Sequence, residues 1–334
     1  MSPERAGTIA LLATTIVWGS TFLFMREASI AFRDAAGPGG EYLGAMVCLA
    51  TRFALAFAAG CLLFRMGPRA FTRGDWVKGG AMAAPMVAGF VLQTYALERT
   101  TPAVCAFLTS LYVVFTPILD YAVRRRLPKG RVVAGIWFAV AGTYLLTGPG
   151  TGGAGPGEIL SVVSAAIFAG HILLIDALTR GGRELELTMT TIGVAAVLFS
   201  APIPFLGGVG RLAQADFWRT ALADPWVSAG VPYLALVATI VGLGIVNRFQ
   251  KALDPTRAAV IYTIEPIWAF AISAAAGREV ASAGILTGMG LILAGNLWSE
   301  VGFPRPRRPT GGSTPGLGPG STGAGSSAGS PGTP

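Results

Sequence analysis

The chain is poor in charge, in histidine and in paired cysteines. Only 13% of its 334 residues are charged, about half the share that is usual in a soluble domain. Its single histidine argues against a multi-histidine metal site, and we predict neither a metal nor another cofactor. The three cysteines lie singly inside apolar runs and form no CxxC pair, so they are interpreted as small buried residues and not as a disulfide framework.

A phosphate-binding loop is also missing. The three lysines stand in VKGG, PKGR and QKAL, so no GxxxxGK[ST] motif occurs. An ATP-driven pump needs such a loop, so any transport would use the gradient of the substrate or of an ion. An embedded enzyme would need several catalytic acids, histidines or serines at one depth, and we predict that the chain is not an enzyme.

Long apolar runs are what the chain has instead. Mean hydropathy is +0.60, and ten runs of roughly 16–23 residues approach the length that crosses a bilayer. The first run is too long for a signal peptide and no small-residue cleavage site follows it, so we interpret it as a retained helix. The predicted spans cover residues 6–25, 42–64, 79–97, 102–123, 132–147, 157–178, 187–206, 227–249, 256–276 and 281–301.

The positive charges set a predicted orientation. The net charge of +8 would suit nucleic acid, but the basic residues cluster between apolar runs, as the positive-inside rule describes. With ten spans, eighteen Lys and Arg fall on one side and six on the other, and Arg52 falls inside a span. Both termini are therefore predicted to be cytoplasmic, with the lipid bilayer and not nucleic acid as partner. Residues 304–334 are rich in Pro, Gly, Ser and Thr and are predicted to form a disordered cytoplasmic tail.

Two segments of the chain occur twice. Residues 96–114 and 252–270 are 156 positions apart and share five identical pairs, among them Thr100 with Thr256 and Ala103 with Ala259. Gly135 and Gly142 recur 153 positions later as Gly288 and Gly295. Residues 1–147 and 148–303 are therefore predicted to be two five-helix repeats. Because five is odd, the second repeat enters the membrane from the opposite side, which is the inverted architecture of many secondary transporters.

The motifs resemble those of the drug/metabolite transporter superfamily, in its EamA-like branch. VWGSTF lies in span one, TRF in span two, YALERTTPA before span four, VNRFQKALDPTRAAVIYTIEPIWAF across spans eight and nine, and GLILAG in span ten. This similarity covers residues 7–302. It implies an all-α membrane fold of two inverted repeats, a central cavity and transport of small metabolites, often by export. The chain departs from the family at Ser110 and Tyr112, near which the first repeat often has a proline; here the proline is Pro117.

Glu265 is the first candidate for function, because ionisable groups inside a membrane are costly. It can bind a substrate amine or a coupling proton, or Glu265 and Pro266 can form only a structural bend. Arg52 needs a partner at the bilayer centre, which can be Glu265 or a substrate carboxylate. His171 is either a proton sensor or a histidine bonded between helices.

Further polar and aromatic residues are predicted to face the cavity or to pack between helices. The aromatic members suit an apolar cavity wall with a few hydrogen-bonding points. Pro117 and Pro266 are the predicted hinges. The complete candidate set is Trp18, Arg52, Gln93, Tyr95, Tyr112, His171, Asn247, Tyr262, Glu265 and Trp268.

Glycines in spans five and ten are predicted to form a packing seam or a dimer seam. Gly284 and Gly288 stand four positions apart, a spacing that lets helices approach closely, and Gly135 and Gly142 lie in the matching span. A homodimer is therefore kept as an option.

These predictions converge on a ten-helix secondary transporter in the cytoplasmic membrane. It would carry small metabolites such as amino acids or drug-like compounds, most readily as an exporter, by alternating access. Import and a membrane-embedded enzyme remain the alternatives.

Overall fold

A computed structural model describes residues 3–124, 130–147, 154–178, 183–242 and 261–301, together with positions 245 and 249. The predicted all-α class is confirmed, since these ranges contain helices and no strand. The tail predicted for residues 304–334 lies outside them. The first half holds α1 (Pro3–Ala36), α2 (Leu43–Leu63), α3 (Arg73–Leu97), α4 (Pro102–Thr109), α5 (Tyr112–Arg124) and α6 (Gly130–Thr147).

The second half begins with two long helices and continues in short pieces. It holds α7 (Pro156–Leu178), α8 (Glu184–Ser200), α9 (Gly208–Leu212), α10 (Ala215–Ala223), α11 (Pro225–Ser228), α12 (Gly230–Pro232), a π-helical segment (Tyr233–Val241), α13 (Glu265–Ala275) and α14 (Ala283–Val301). The π-helical segment occupies most of the described part of predicted span eight.

Five helical stretches in the described ranges are long and apolar enough to cross a membrane. They are Arg5–Ala36, Leu43–Leu63, Arg73–Leu97, Pro102–Ala122 and Pro156–Ile175. A sixth arises if Ala215–Ala223 and Pro225–Val241 are taken together across their 89° bend, and Val133–Leu146 and Ala283–Trp298 are shorter apolar helices. Ten crossings therefore remain a prediction.

Several predicted span boundaries are wrong, and span three, predicted from residue 79, begins as α3 at Arg73. Predicted span one ends at residue 25, but α1 continues to Ala36, where its charged residues have partners on other segments: Arg26 donates to the Leu97 carbonyl oxygen at 2.9 Å and Glu27 accepts from Arg278 at 2.9 Å. Predicted span seven reaches residue 206, but α8 ends at Ser200, just before Pro202. A proline cannot donate the backbone hydrogen bond that continues a helix.

The starts of α3 and α8 are tied together across the two halves. Thr72 and Asp75 form a reciprocal capping box at the start of α3. The Arg183 guanidinium donates to the Asp75 carboxylate at 2.8 and 3.1 Å and to the carbonyl oxygen of Ala70 at 2.9 Å. The same carboxylate raises the pKa of Arg183 through its hydrogen bond. This end of the bundle also carries Arg65, Arg69, Arg73 and Lys78 and is called the arginine-rich end.

Corresponding helices of the two halves run in opposite directions. Arg26, near the end of α1, donates to the carbonyl oxygen of Leu97 at 2.9 Å, which places this end of α1 beside the end of α3. The turn that follows α3 contacts the start of α7, because Thr100 in this turn donates to Glu158 at 2.5 Å. We call this side, formed by residues 26–36, 97–103, 154–158 and 276–279, the arginine-poor end. Helix α1 ends there and its counterpart α7 begins there, as inverted repeats require.

Helix packing also follows a two-fold pattern. Helix α6 packs along α14, α2 along α8, α1 along α13, and α4 and α5 along α7. Between α6 and α14, a side-chain carbon built on Gly142 would lie 2.6 Å from the carbonyl oxygen of Gly288, and one built on Gly295 would lie 2.7 Å from that of Gly135. The predicted glycine seam thus lies within one chain, while Gly284 has nothing within 4 Å. It therefore provides no argument for a homodimer.

Candidate functional site

Both halves contain a broken helix at corresponding positions. In the first half, α4 ends at Thr109 and α5 begins at Tyr112, and Ser110 and Leu111 lie between them. In the second half, Thr263 and Ile264 form a turn directly before α13. The two breaks are 153 positions apart, the same offset as the seam glycines. Discontinuous helices at matching positions of inverted repeats mark the substrate region of many transporters.

The predicted hinge prolines lie after these breaks. Pro266 occupies the first turn of α13, where its missing N–H leaves no helical bond unmade. Pro117 lies inside α5, six positions beyond Leu111. Where the sequence predicts a kink inside span nine, the structure instead has the start of a helix at Glu265. Hinge motion at either proline stays a prediction.

Glu265 lies on the first turn of α13 with aromatic side chains around it. Trp268 stands three positions after Glu265 on α13, a spacing that places helical residues on one face, and Tyr262 lies just before the turn that precedes α13. Helix α1 approaches closely here, because a side-chain carbon on Gly19 would lie 2.7 Å from Trp268 Cβ and 2.8 Å from the Glu265 carbonyl oxygen. Trp18 stacks on Tyr262 with ring centres 5.8 Å apart.

The carboxylate of Glu265 makes no hydrogen bond or ion pair with any side chain in the described ranges. The indole N–H of Trp268 is buried and likewise has no acceptor there. A carboxylate inside a membrane is costly unless a cation, a proton or a donor neutralises it. A cation or a proton bound at Glu265 would offset this cost.

The π-helical segment closes the other side of α1. The indole N–H of Trp18 donates to the carbonyl oxygen of Ala238 at 3.0 Å, and the hydroxyls of Ser20 and Tyr233 are 2.7 Å apart. A side-chain carbon on Gly242 would lie 2.7 Å from the Trp18 indole nitrogen. Helix α1 is thus packed between the π-helical segment on one side and α13 on the other. π-Helical turns occur frequently at functional sites.

Arg52 is held by a different set of contacts. Its guanidinium donates to the Thr239 hydroxyl at 3.2 and 3.3 Å and contacts the Met25 sulfur at 2.9 Å. It also lies 5.3 Å from the ring centres of Phe53 and Phe90, which is cation–π distance. The residue is 6% exposed. Of the two options for Arg52, the ion pair with Glu265 is not formed in this structure, since no contact joins the two side chains.

A double-mutant cycle tests this separation. We expect Arg52→Gln and Glu265→Gln to change the unfolding free energy independently, with a coupling energy below about 0.5 kcal/mol, because the side chains share no contact. Arg52→Gln and Thr239→Val should couple by more than that, because their hydrogen bonds are shared. Both cycles are measured by thermal unfolding of the purified protein. Strong Arg52–Glu265 coupling with none between Arg52 and Thr239 would contradict the structure.

The other predicted residues lie apart from Glu265 or outside the described ranges. Gln93 donates to Thr109 at 3.4 Å, and Tyr95 donates to the Tyr42 carbonyl oxygen at 3.0 Å near the arginine-poor end. Tyr112 packs against the apolar cluster of α4, α6 and α14. His171 has a buried Nδ1 without a hydrogen-bond partner in the described chain, and Asn247 lies outside it.

Two surface cavities are found away from this cluster. One of about 210 Å³ lies beside Thr143, Glu158 and Val162, and another of about 450 Å³ lies beside Ala54, Val197 and Ser200. Neither is lined by a predicted site residue.

Sequence reasoning missed the residues that join the arginine-poor end. Its six arginines were counted only as charges, yet Glu27, Asp34, Glu98, Asp216 and Glu279 stand near them in sequence. That proximity could have indicated ion pairs, but not which segments they join. Glu98 accepts a hydrogen bond from Ser29. Burial raises the pKa of Glu98, and burial likewise raises the pKa of Glu279, which accepts the backbone N–H of Ala103 at 2.8 Å.

Known proteins match this chain along nearly its whole length. An archaeal protein described as an uncharacterized transporter, from Archaeoglobus fulgidus, is 27% identical over 273 residues, which cover 81% of this chain and 78% of the relative. A solved structure described as "Crystal structure of protein" superposes with a TM-score of 0.52 at 18% identity, over 89% of this chain and 97% of that one, and supports the fold alone. The sequence model of the EamA-like transporter family matches twice, at residues 5–148 and 155–299. The chain therefore belongs to the EamA-like transporter family and is a multi-pass membrane transporter.

Proposed function

We propose that the chain is a secondary exporter of small metabolites, such as amino acids or drug-like compounds, in the cytoplasmic membrane. Both termini would lie in the cytoplasm, with the arginine-rich end inside and the arginine-poor end outside, in accord with the positive-inside rule. The two repeats would alternate between inward and outward access around the Glu265 cluster. The transport is not coupled to ATP in this proposal.

One observation carries the proposal: Glu265, whose carboxylate has no side-chain partner among the described residues, lies at the second of two matched helix breaks. Helix α13 runs from Glu265 to Ala275, so at a rise of about 1.5 Å per residue Glu265 lies about 15 Å from the helix end. This is about half the thickness of the hydrocarbon layer. A negative group at that depth suits a substrate amine or a coupling proton.

The chemistry of the surroundings favours a cation over an anion as the bound group. Arg52 is covered by Thr239, Met25 and two phenylalanine rings, so it offers little to a substrate carboxylate. Trp18, Tyr262 and Trp268 lie around Glu265, and aromatic faces attract ammonium groups. A substrate with an amine and an apolar part fits both features.

The test is a comparison of metabolites released by expressing cells. Cells with the wild-type protein should accumulate one class of small metabolite in the medium, and Glu265→Gln at equal membrane level should abolish at least about 90% of that excess, a tenfold loss that corresponds to about 1.4 kcal/mol. Glu41→Gln is the matched control, because Glu41 is exposed in the loop before α2. It should export as wild type does.

The outcomes separate the alternatives. If wild-type cells release nothing beyond control cells in rich and in poor medium, export is refuted and uptake is measured next. If Glu265→Gln exports normally, the site assignment is refuted. If an uncoupler of the proton gradient stops wild-type export, Glu265 is assigned to the coupling proton; if not, it is assigned to the substrate amine.

A further inference from the structure

A buried carboxylate joins the two repeats at the arginine-poor end. Glu27, on α1, accepts hydrogen bonds from Arg26 at 2.8 Å and from Arg278 at 2.9 Å. Its side chain is 8% exposed. Arg278 belongs to the turn after α13, in the second repeat. Charge-assisted bonds of this geometry are among the stronger hydrogen bonds in proteins.

A second contact joins the same turn to the start of α4. Glu279 accepts the backbone N–H of Ala103 at 2.8 Å. The first N–H groups of a helix have no partner within the helix, so a carboxylate there caps them and interacts favourably with the helix dipole. In this case the capping carboxylate comes from the other repeat. Separation of the repeats at this end would therefore leave the Ala103 N–H without this partner, while the Thr101 side chain would still cap α4 at the Val104 N–H.

Other contacts at this end hold α1 to its own repeat. Glu98 accepts from Ser29 and lies 3.9 Å from Arg33, and Arg26 donates to the Leu97 carbonyl oxygen. The side chain of Glu98 is 4% exposed. The end of α1 is thus fastened to the end of α3. Besides Arg278 and Glu279, the Thr100–Glu158 hydrogen bond and the bonds from Arg211 to the carbonyl oxygens of Pro38 and Gly39 join the two repeats here.

We propose that Glu27, Arg278 and Glu279 form a gate at the arginine-poor end, which is closed in this structure and opens when the Glu27–Arg278 contact breaks. Met25 and Ala269, which lie on the two helices that the Glu27–Arg278 contact joins, form one buried apolar cluster with Cys105. Cys105, two positions beyond Ala103, is 0% exposed. The direction of release through this gate rests on the proposed export function, but the existence of the gate does not.

Cys105 provides a native reporter. In a background with Cys48 and Cys61 replaced by alanine, a membrane-impermeant maleimide is added to intact cells and the labelling of Cys105 is followed over time. Wild type should react slowly, and Arg278→Gln should react roughly tenfold faster, the change expected if the closed state loses about 1.4 kcal/mol. Arg278→Lys keeps the charge and should stay close to wild type.

The matched control is Arg219→Gln. Arg219 makes an ion pair with Asp216 at 3.1 Å, but both side chains are exposed and both lie on α10, so this pair joins no repeats. Its loss should leave the labelling unchanged. Equal labelling of Arg278→Gln and wild type, or equal acceleration by Arg219→Gln, overturns the gate.

A second variant provides the test if Arg278→Gln misfolds. If Arg278→Gln does not reach the membrane as a single monodisperse species, Glu27→Gln provides the test, because it removes the same contact from the α1 side and should accelerate labelling similarly. The readout needs no substrate. If labelling changes as expected but the chain shows no export, the gate is supported and the proposed function is refuted. If the chain exports but labelling is unchanged, the proposed function is supported and the gate is refuted.

Discussion

Gly288→Leu is expected to remove most of the folded protein from the membrane. A side-chain carbon on Gly288 would lie 2.8 Å from the Gly142 carbonyl oxygen and 3.0 Å from the backbone nitrogen of Leu146. Both obstructing atoms belong to the backbone of α6, which cannot rotate away as a side chain can. Overpacking typically costs about 1–3 kcal/mol, and a whole leucine between two helices in backbone contact lies at the upper end of that range.

The measurement is the amount of monodisperse protein after extraction, followed by its thermal unfolding. Gly284→Leu is the control, since it makes the same substitution one turn away on the same helix, where nothing lies within 4 Å. It should behave as wild type. Equal losses in both variants would mean that the α6–α14 seam does not limit stability, and the two-fold arrangement inferred from it would lose its main support.

Gly19→Ala is expected to impair transport by adding a single methyl group. That methyl would lie 2.7 Å from Trp268 Cβ, 2.8 Å from the Glu265 carbonyl oxygen and 3.0 Å from the backbone nitrogen of Ala269. Helix α1 must therefore move away from α13 at the site itself. We expect a loss of about 1–3 kcal/mol in stability and, in the metabolite-release assay, a loss of most of the export.

Gly170→Ala serves as the comparison for this variant. Gly170 lies in the corresponding part of α7, and a side-chain carbon there would meet nothing within 4 Å. We expect it to leave unfolding and export unchanged, or to stabilise the helix slightly, because alanine is the better helix former. If Gly19→Ala exports normally, the close approach of α1 to α13 is not needed at any step of the transport cycle.

The repeat and the seam were predictable because they depend on local patterns. Gly135, Gly142, Gly288 and Gly295 recur at a constant offset, and small residues at helical spacing predict close packing. The opposite orientation of the halves follows from an odd number of spans and from the positions of the arginines. These features need no knowledge of which side chains meet.

The partners of the buried charges were not predictable in the same way. Arg52 and Glu265 are the strong charges nearest the middle of their spans, so sequence alone offers Glu265 as one option for Arg52, beside a substrate carboxylate. In the fold, Thr239 and the rings of Phe53 and Phe90 surround the guanidinium instead. The orientation of each side chain around its helix decides this, and hydropathy carries little information on orientation when all faces of a helix are apolar.

Helix α1 links the site and the gate through its length. Its 34 residues span about 51 Å at the usual helical rise, well beyond the roughly 30 Å of a hydrocarbon layer. Trp18 and Glu27 lie nine residues apart on it, which is about 13 Å along the axis. Tilting the helix by about 10° around Trp18 would therefore displace Glu27 by about 2 Å. A displacement of that size exceeds the tolerance of a 2.9 Å hydrogen bond, so a small tilt of α1 at the site is enough to break the Glu27–Arg278 contact.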